Sequence, residues 1–153
     1  MEKQEFLTFA KKLIECCDWF YLSTFNKELD SAETRAMANV RSSAMFPENN
    51  ELFAENDLSN YIITALSSGK VAQLKENKTC SIYYFCPKMR QALTLFGDSK
   101  MIYDDEIKKS IWRKEWQNYF EQGEEDPEYA VIKFTPKLAK YMPDHKHIYS
   151  IDL

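Results

Sequence analysis

The sequence predicts a mainly β fold of the α+β class, an antiparallel barrel with helices at its periphery. Segments rich in aromatic and β-branched residues follow one another with turn residues between them, which is typical of a meander of antiparallel strands. Helical patterns interrupt these segments at three places only, which argues against the strict strand–helix alternation of a parallel sheet. A closed barrel is favoured because closure removes exposed strand edges.

Six segments have the composition of β-strands and define the predicted barrel. They cover residues 19–25, 34–40, 61–64, 79–86, 91–103 and 129–135. Gly97 predicts a bulge where the long fifth strand must bend. Pro136 predicts the end of the sixth strand, beyond which residues 138–142 extend the edge of the sheet.

Three segments with helical spacing of apolar residues are predicted to lie outside the barrel. They cover residues 1–17, 71–76 and 104–123. The last of them begins at Asp104, a good N-cap, and ends near Gly123. Residues 46–60 predict a polar loop with a short helical turn, and residues 143–153 predict an exposed C-terminal tail.

Length and charge restrict the class of protein. The chain has 153 residues, 44% of them hydrophobic, which predicts a single domain over residues 1–153. Its net charge of −4 argues against a grip on the nucleic-acid backbone, which needs clustered basic residues. No apolar run is long enough to span a membrane, and the charged residues 1–5 do not resemble a secretory signal. We therefore expect a cytoplasmic protein with neither nucleic acid nor membrane as a partner.

The cysteine and histidine patterns predict no metal site and no disulfide. The cysteines are Cys16, Cys17, Cys80 and Cys86. They lack the paired C-x-x-C spacing of zinc and redox sites, so we expect reduced and mostly buried thiols, as is usual in the cytosol. His145 and His147 have no third ligand nearby in the sequence, which favours an exposed tail over a metal site.

The segment 64–70, Thr-Ala-Leu-Ser-Ser-Gly-Lys, is the most informative local feature. It lies between a predicted strand and a predicted helix, and it gathers hydroxyls, main-chain amides and an ammonium group. Amides of a first helical turn have no partner within the helix, the helix dipole adds partial positive charge, and Lys70 adds a full charge. The pattern indicates a phosphate-binding corner, although a serine N-cap is also ordinary helix architecture.

A second feature is the predicted strand around residues 34–41, which carries an arginine near each end. Arg35 and Met37 share one face of a strand, and Asn39 and Arg41 continue the same alternation. The row would present a guanidinium, a thioether and an amide to one ligand. The alternative is a solvated sheet edge with scattered charges.

The order of several short motifs resembles that of the pyridoxamine-phosphate-oxidase-like flavoproteins, in particular their general stress protein branch. The resemblance runs from about residue 18 to residue 142. The motifs are Thr-Arg-Ala-Met at 34–37, Ile-Thr at 63–64, Ser-Ser-Gly-Lys at 67–70, Ser-Ile-Tyr-Tyr at 81–84, Leu-Phe-Gly at 95–97 and Asp-Pro-Glu-Tyr at 126–129.

This resemblance implies a six-stranded split β-barrel that binds flavin mononucleotide (FMN) in a groove between the two subunits of a homodimer. It implies that Thr64, Ser68 and Lys70 hold the phosphate and that Arg35 adds a bidentate contact. Main-chain groups of residues 37–40 would contact the flavin ring. The residues assigned to the cofactor by resemblance are Arg35, Met37, Asn39, Val40, Ile63, Thr64, Ser67, Ser68, Lys70 and Gln91.

The resemblance also implies a flavin-dependent oxidoreductase with a small-molecule redox partner. Oxidation of a vitamin B6 phosphate is not expected, because Gly69 replaces a second basic residue and the arginine-containing C-terminal segment of those oxidases is missing. The alternative is a stress-response module that binds flavin, haem or a deazaflavin without turnover. A catalytic side chain over the flavin would separate the two, and the sequence indicates none.

Overall fold

Antiparallel pairing connects all the strands of the protein, whose residues 1–153 are described by a computed structural model. The strands are β1 (Trp19–Asn26), β2 (Ser31–Ala38), β3 (Asn60–Ala65), β4 (Thr79–Cys86), β5 (Gln91–Ile102), β6 (Tyr129–Met142) and β7 (Tyr149–Asp152). The α-helices are α1 (Lys3–Cys16), α2 (Gly69–Glu76) and α3 (Asp105–Ile111). The 3-10 turns are Pro47–Leu52, Lys114–Asn118 and Gly123–Glu125.

Six strands follow one another around a curled sheet in the order β2-β1-β4-β5-β6-β3, and β7 is added beside β6. The two end strands, β2 and β3, pair with β1 and β6 respectively and not with each other. This confirms the predicted mainly β, antiparallel, split-barrel fold. The gap between β2 and β3, called the split below, leaves two strand edges free.

The core lies between the inner face of the sheet and α1. Apolar residues of α1 at helical spacing, including Leu13 and Ile14, are fully buried against it. Alternate residues of the strands point inward in the same way, as Phe20 and Leu22 do in β1. The amphipathic pattern of α1 is therefore explained by its position, because its apolar face closes one side of the barrel.

The bulge predicted at Gly97 is present, and it explains why β6 does not end at Pro136. The ladder between β5 and β6 shifts register between Phe96 and Gly97, where Gly97 lies opposite Pro136. A Cβ on Gly97 would overlap the carbonyl oxygen of Thr135 and lie 2.7 Å from Cα of Pro136. The prediction that Pro136 ends the strand is wrong, because a bulge accommodates a residue that cannot donate to the ladder.

The helix predicted over residues 104–123 is shorter than expected. It begins at the Asp104 N-cap, whose side chain accepts from two amides, but it ends at Ile111. The aromatic residues that follow pack around Tyr129, with the ring centroids of Trp112 and Phe120 at 5.1 Å and 5.4 Å from its ring. The hydroxyl of Tyr129 also donates to the carbonyl of Lys108 at 2.7 Å. These aromatic residues are spaced as in a helix, but they pack around the ring of Tyr129 and do not continue α3.

Two chain ends differ from the predictions. β2 stops at Ala38, so that Asn39 and Val40 lie beyond the strand. Residues 149–152 of the predicted tail form β7 against β6. None of the helices has the length and apolar character that a membrane span requires.

The cysteine prediction is wrong for one pair. Cys16 at the end of α1 and Cys86 at the end of β4 are joined as a disulfide across 70 residues, with their Cα atoms 6.3 Å apart. Cys17 and Cys80 are free and buried. Spacing along the sequence gave no signal for the pair, because only the packing of α1 on β4 brings the two residues together.

Candidate functional site

The end of β3 and the start of α2 bring three of the predicted residues together beside the split. Thr64 lies near the end of β3, and Ser68 is the N-cap of α2. The Lys70 ammonium donates to the Thr64 hydroxyl at 2.9 Å, and the hydroxyls of Thr64 and Ser68 are 3.2 Å apart. Thr64, Ser68, Gly69 and Lys70 are called the corner below.

The corner has donors that no protein group occupies. The amides of Gly69 and Lys70 have no hydrogen-bond acceptor in the protein, and the Ser68 side chain makes no capping bond. A Cβ built on Gly69 would meet nothing within 4 Å, so the first turn of α2 is open beside this residue. Two free amides, two hydroxyls and an ammonium close together form a donor set that suits a phosphate group.

Burial and neighbouring charges shift the pKa of Lys70. Partial burial lowers the pKa of this ammonium below its ordinary value, and the positive charge of Arg35 lowers it further. The carboxylate of Glu33 acts in the opposite direction. A dianion bound at the corner would favour the charged form of Lys70, because protein groups leave part of the positive charge there without an opposite charge.

Arg35 lies beside the corner, but its guanidinium is already engaged. One terminal nitrogen donates to the hydroxyl of Thr24 at 2.6 Å and to the carbonyls of Glu33 and Leu22. The other donates to the Glu33 carboxylate at 2.7 Å and to Gln73 at 3.3 Å. A ligand phosphate would therefore have to compete with Glu33 for Arg35.

Two residues that the sequence did not predict for the site, Glu33 and Gln73, complete this cluster. Gln73 donates to the Glu33 carboxylate at 2.8 Å, and this bond is the main reason why the pKa of Glu33 is lowered. A signal existed for each residue. Glu33 precedes Arg35 by two positions and so shares its face of β2, and Gln73 follows Lys70 by three positions on one side of α2.

Two residues of the predicted set lie next to the corner without joining it. Glu128 accepts from both the amide and the hydroxyl of Ser67, at 3.2 Å and 2.6 Å. The side chain of Ile63 packs against the second hydrophobic cluster, which surrounds Tyr129. Ser67 is therefore held by an internal carboxylate, and Ile63 contributes packing.

The prediction that Asn39 presents its amide to a ligand beside Arg35 is wrong. Its side chain is fully buried and donates to the carbonyls of Ile14 and Cys17, at 2.8 Å and 2.6 Å. Because these are the last carbonyls around the end of α1, Asn39 acts as a cap for that helix. Arg41 is also fully buried, and it donates to the carbonyls of Asp57 and Ser59.

The main chain beyond Ala38 is also occupied by hydrogen bonds within the protein. The amide of Asn39 donates to the carbonyl of Asp18, and the carbonyl of Val40 accepts from Asn49. Met37 is buried in the main core opposite Phe20.

Residues of an antiparallel ladder alternate in direction, so the neighbours Ala36 and Ala38 direct their main-chain groups to the free side of β2. The unpaired main-chain groups that line the split therefore include those of the two alanines.

Gln91 lies far from the corner within one chain. It begins β5 at the end where β4 finishes, whereas β3 meets β6 opposite the other end of β5. Its side-chain oxygen accepts from the hydroxyl of Tyr141 at 2.8 Å. A single chain thus does not bring Gln91 to the same site as Lys70.

The chain was compared with known protein families and structures. The model of the family described as pyridoxamine 5'-phosphate oxidase like matches residues 31–150. No curated protein sequence matches the chain.

Solved structures share the fold at low sequence identity. A Clostridium acetobutylicum protein related to general stress protein 26 superposes with a TM-score of 0.79 and 19% identity, over 100% of this chain and 97% of that one. The general stress FMN/FAD binding protein of Xanthomonas citri gives 0.72 and 12%, over 98% and 97%. A heme binding protein of Mycobacterium smegmatis gives 0.70 and 11%, over 95% and 57%.

Proposed function

Because the chain belongs to the pyridoxamine 5'-phosphate oxidase-like family, we propose that it binds FMN, with the flavin phosphate at the corner, and works as a flavin-dependent oxidoreductase in the cytoplasm. The observation that carries the proposal is the set of donors gathered at the corner, of which the amides of Gly69 and Lys70 have no acceptor in the protein. Lys70 supplies the charge, Thr64 and Ser68 supply hydroxyls, and the first amides of α2 supply directed hydrogen bonds.

The split supports the placement of the rest of the cofactor. The free main-chain groups of Ala36 and Ala38 on β2 can hydrogen-bond the polar edge of a flavin ring, so that Ala38 keeps the role predicted for residues 37–40 and Ala36 is added to it. The bound flavin would supply the electron-transfer chemistry, and the protein would orient the flavin and exclude water. No acid–base pair is required of the chain for this task.

The donor set favours a flavin phosphate over a haem iron. Haem iron needs an axial histidine, cysteine, methionine or tyrosine. The side chains of the corner are hydroxyls and an ammonium, and the two histidines lie at the exposed end of the chain between β6 and β7.

The first test is a titration of the purified protein with FMN, riboflavin and haemin, followed by visible absorption and flavin fluorescence. We expect saturable binding of FMN, weaker binding of riboflavin because it lacks the phosphate, and a higher melting temperature in the presence of FMN. Binding of haemin with no response to FMN would refute the proposal. Steady-state reduction of bound FMN by a nicotinamide nucleotide, with oxygen or a quinone as acceptor, separates an enzyme from a module that only holds flavin.

The active form is proposed to be a homodimer with flavin at the subunit interface. Two observations support a second copy of this chain as the partner. Gln91 can join the corner only if another chain provides it. The outer face of the barrel also carries exposed aromatic residues on β1, β4 and β5, and four of them are called the aromatic patch here: Tyr21, Phe25, Tyr83 and Phe96. Such a patch is typical of an interface.

Charge inserted into the aromatic patch should separate the two subunits. The rings of Tyr21 and Tyr83 are neighbours, with centroids 6.3 Å apart, and each substitution occurs twice in a twofold interface. Tyr21→Arg combined with Tyr83→Arg should lower the mass by light scattering from twice 18.1 kDa to that of one chain, and FMN affinity should fall with it. Tyr103→Arg, at a residue that is 75% exposed and outside the patch, is the control. A wild-type monomer that binds FMN fully would contradict the dimer.

Removal of the Glu33 charge should strengthen FMN binding. Glu33→Gln keeps the shape of the side chain but releases Arg35 from a carboxylate, so that the guanidinium can face the phosphate. We expect affinity for FMN to rise about fivefold, with little change for riboflavin. Glu28→Gln in the exposed β1–β2 turn should leave both affinities unchanged. An unchanged affinity in Glu33→Gln would show that Arg35 does not contact the phosphate.

A further inference from the structure

Cys16 and Cys86 form a disulfide in which one partner faces solvent and the other does not. Cys16 is exposed at the last position of α1, whereas Cys86 is fully buried at the end of β4. Their Cα atoms are 6.3 Å apart, within the usual range for a disulfide. A soluble thiol or disulfide can therefore approach the pair only from the side of Cys16.

A surface pocket opens at this pair. Its volume is about 400 Å³, and both cysteines contribute to its lining. Trp19 and Phe85 provide apolar walls, and Asp18 and Lys88 contribute one charge of each sign. The pocket therefore opens the pair to a small disulfide arriving from solvent.

The other two thiols do not compete for the pair. Burial, reinforced by Asp18, raises the pKa of Cys17 to about 11. Burial raises the pKa of Cys80 to about 12. Because the thiolate is the reactive form, neither residue supplies a nucleophile at neutral pH.

We propose that Cys16 is a site of reversible modification by low-molecular-weight disulfides, with Cys86 as the resolving thiol. In the reduced protein the Cys16 thiolate attacks one sulfur of glutathione disulfide, and one glutathione leaves as a thiolate. Cys86 Sγ, which faces Cys16 Sγ directly, then attacks Cys16 Sγ of this mixed disulfide, and its proton passes to the second glutathione as that thiol leaves. The protein loses two electrons and two protons, and one glutathione disulfide becomes two molecules of glutathione. Reduction follows the reverse path, starting at exposed Cys16.

The Cys16–Cys86 disulfide strengthens the attachment of α1 to the barrel. The end of α1 is otherwise held by hydrogen bonds, from Asn39 to the carbonyls of Ile14 and Cys17 and from the amide of Ser43 to the carbonyl of Glu15. These bonds remain when the disulfide is reduced, so the reduced protein keeps its fold. Oxidation adds a covalent connection across 70 residues, which restricts the unfolded chain.

The reduced protein is exposed to glutathione disulfide, and linked cysteines are identified by mass spectrometry after alkylation. The wild type should lose two thiols and gain no glutathione, and its melting temperature should rise by roughly 10 °C. Cys86→Ala should accumulate one glutathione on Cys16, because the resolving thiol is missing. Cys16→Ser should take up none, because Cys86 is buried.

Two further variants act as controls. Cys17→Ser and Cys80→Ser should still close the Cys16–Cys86 linkage. If Cys86→Ala does not fold, the wild type treated for short times should show the same Cys16 adduct as an intermediate. The proposal is overturned by a wild type that stays reduced, by adducts on Cys86 in Cys16→Ser, or by linkage of Cys17 in place of Cys16.

Discussion

Replacement of Lys70 by methionine should weaken FMN binding by about 100-fold, which corresponds to roughly 2.7 kcal/mol. Methionine has nearly the length of lysine but lacks the ammonium that donates to Thr64 at the corner. The loss is large because a charge-assisted contact to a phosphate is removed from a half-buried position where water replaces it poorly. The change is measured by fluorescence titration of FMN against wild type and variant.

Riboflavin separates loss of the phosphate contact from loss of the fold. Since riboflavin has no phosphate, its affinity should be the same in wild type and Lys70→Met, and the variant should no longer prefer FMN. Lys75→Met, at an exposed position in the last turn of the same helix, should leave FMN binding unchanged. A parallel loss of riboflavin and FMN affinity in Lys70→Met would place the phosphate elsewhere.

Lys70 should also make the affinity for FMN depend on pH. The pKa of Lys70 is lowered by burial and by Arg35, so this ammonium loses its proton at a lower pH than an ordinary lysine. The affinity for FMN should therefore fall as the pH rises through this lowered pKa, below the usual value of 10.5. Lys70→Met should lack this decline. An identical decline in the variant would assign it to another group.

The corner could be read from the sequence because it is local. Thr64, Ser68 and Lys70 lie within one strand-to-helix connection, where composition and capping rules specify both the backbone and its free amides. The hydrogen bonds that occupy Arg35 could not be predicted from the sequence in the same way. Glu33 lies on the same strand, but Gln73 reaches the pair from a helix 38 positions beyond Arg35, and only tertiary packing brings it there.

The wrong predictions have a shared physical origin. Alternation along β2 placed Asn39 beside Arg35, but the strand stops at Ala38 and the amide side chain instead caps α1. Local periodicity likewise extended the third helix beyond Ile111, although the aromatic residues there pack around Tyr129. In each case a contact with a residue distant in the sequence determined where the strand or helix ends. The residue pattern within that strand or helix carries no information about such a contact.

Substitution of Gly97 by alanine should lower the free energy of unfolding by about 3 kcal/mol and the melting temperature by roughly 10 °C. The reason is the bulge at which β5 turns around the barrel. A methyl group there would overlap the carbonyl oxygen of Thr135 and press on Pro136, and both obstacles are backbone, which cannot rotate away as a side chain can. Chemical denaturation monitored by tryptophan fluorescence measures the loss.

Gly69→Ala is the matched control for Gly97→Ala, because the same methyl group at residue 69 meets nothing within 4 Å. Position 69 is also the first residue of α2, where alanine is the better helix former. Without ligand, Gly69→Ala should therefore be as stable as the wild type or slightly more stable. Equal stability of the two variants would mean that the register shift between β5 and β6 does not depend on a glycine. The curvature that separates β2 from β3, and with it the split beside the corner, would then need another cause.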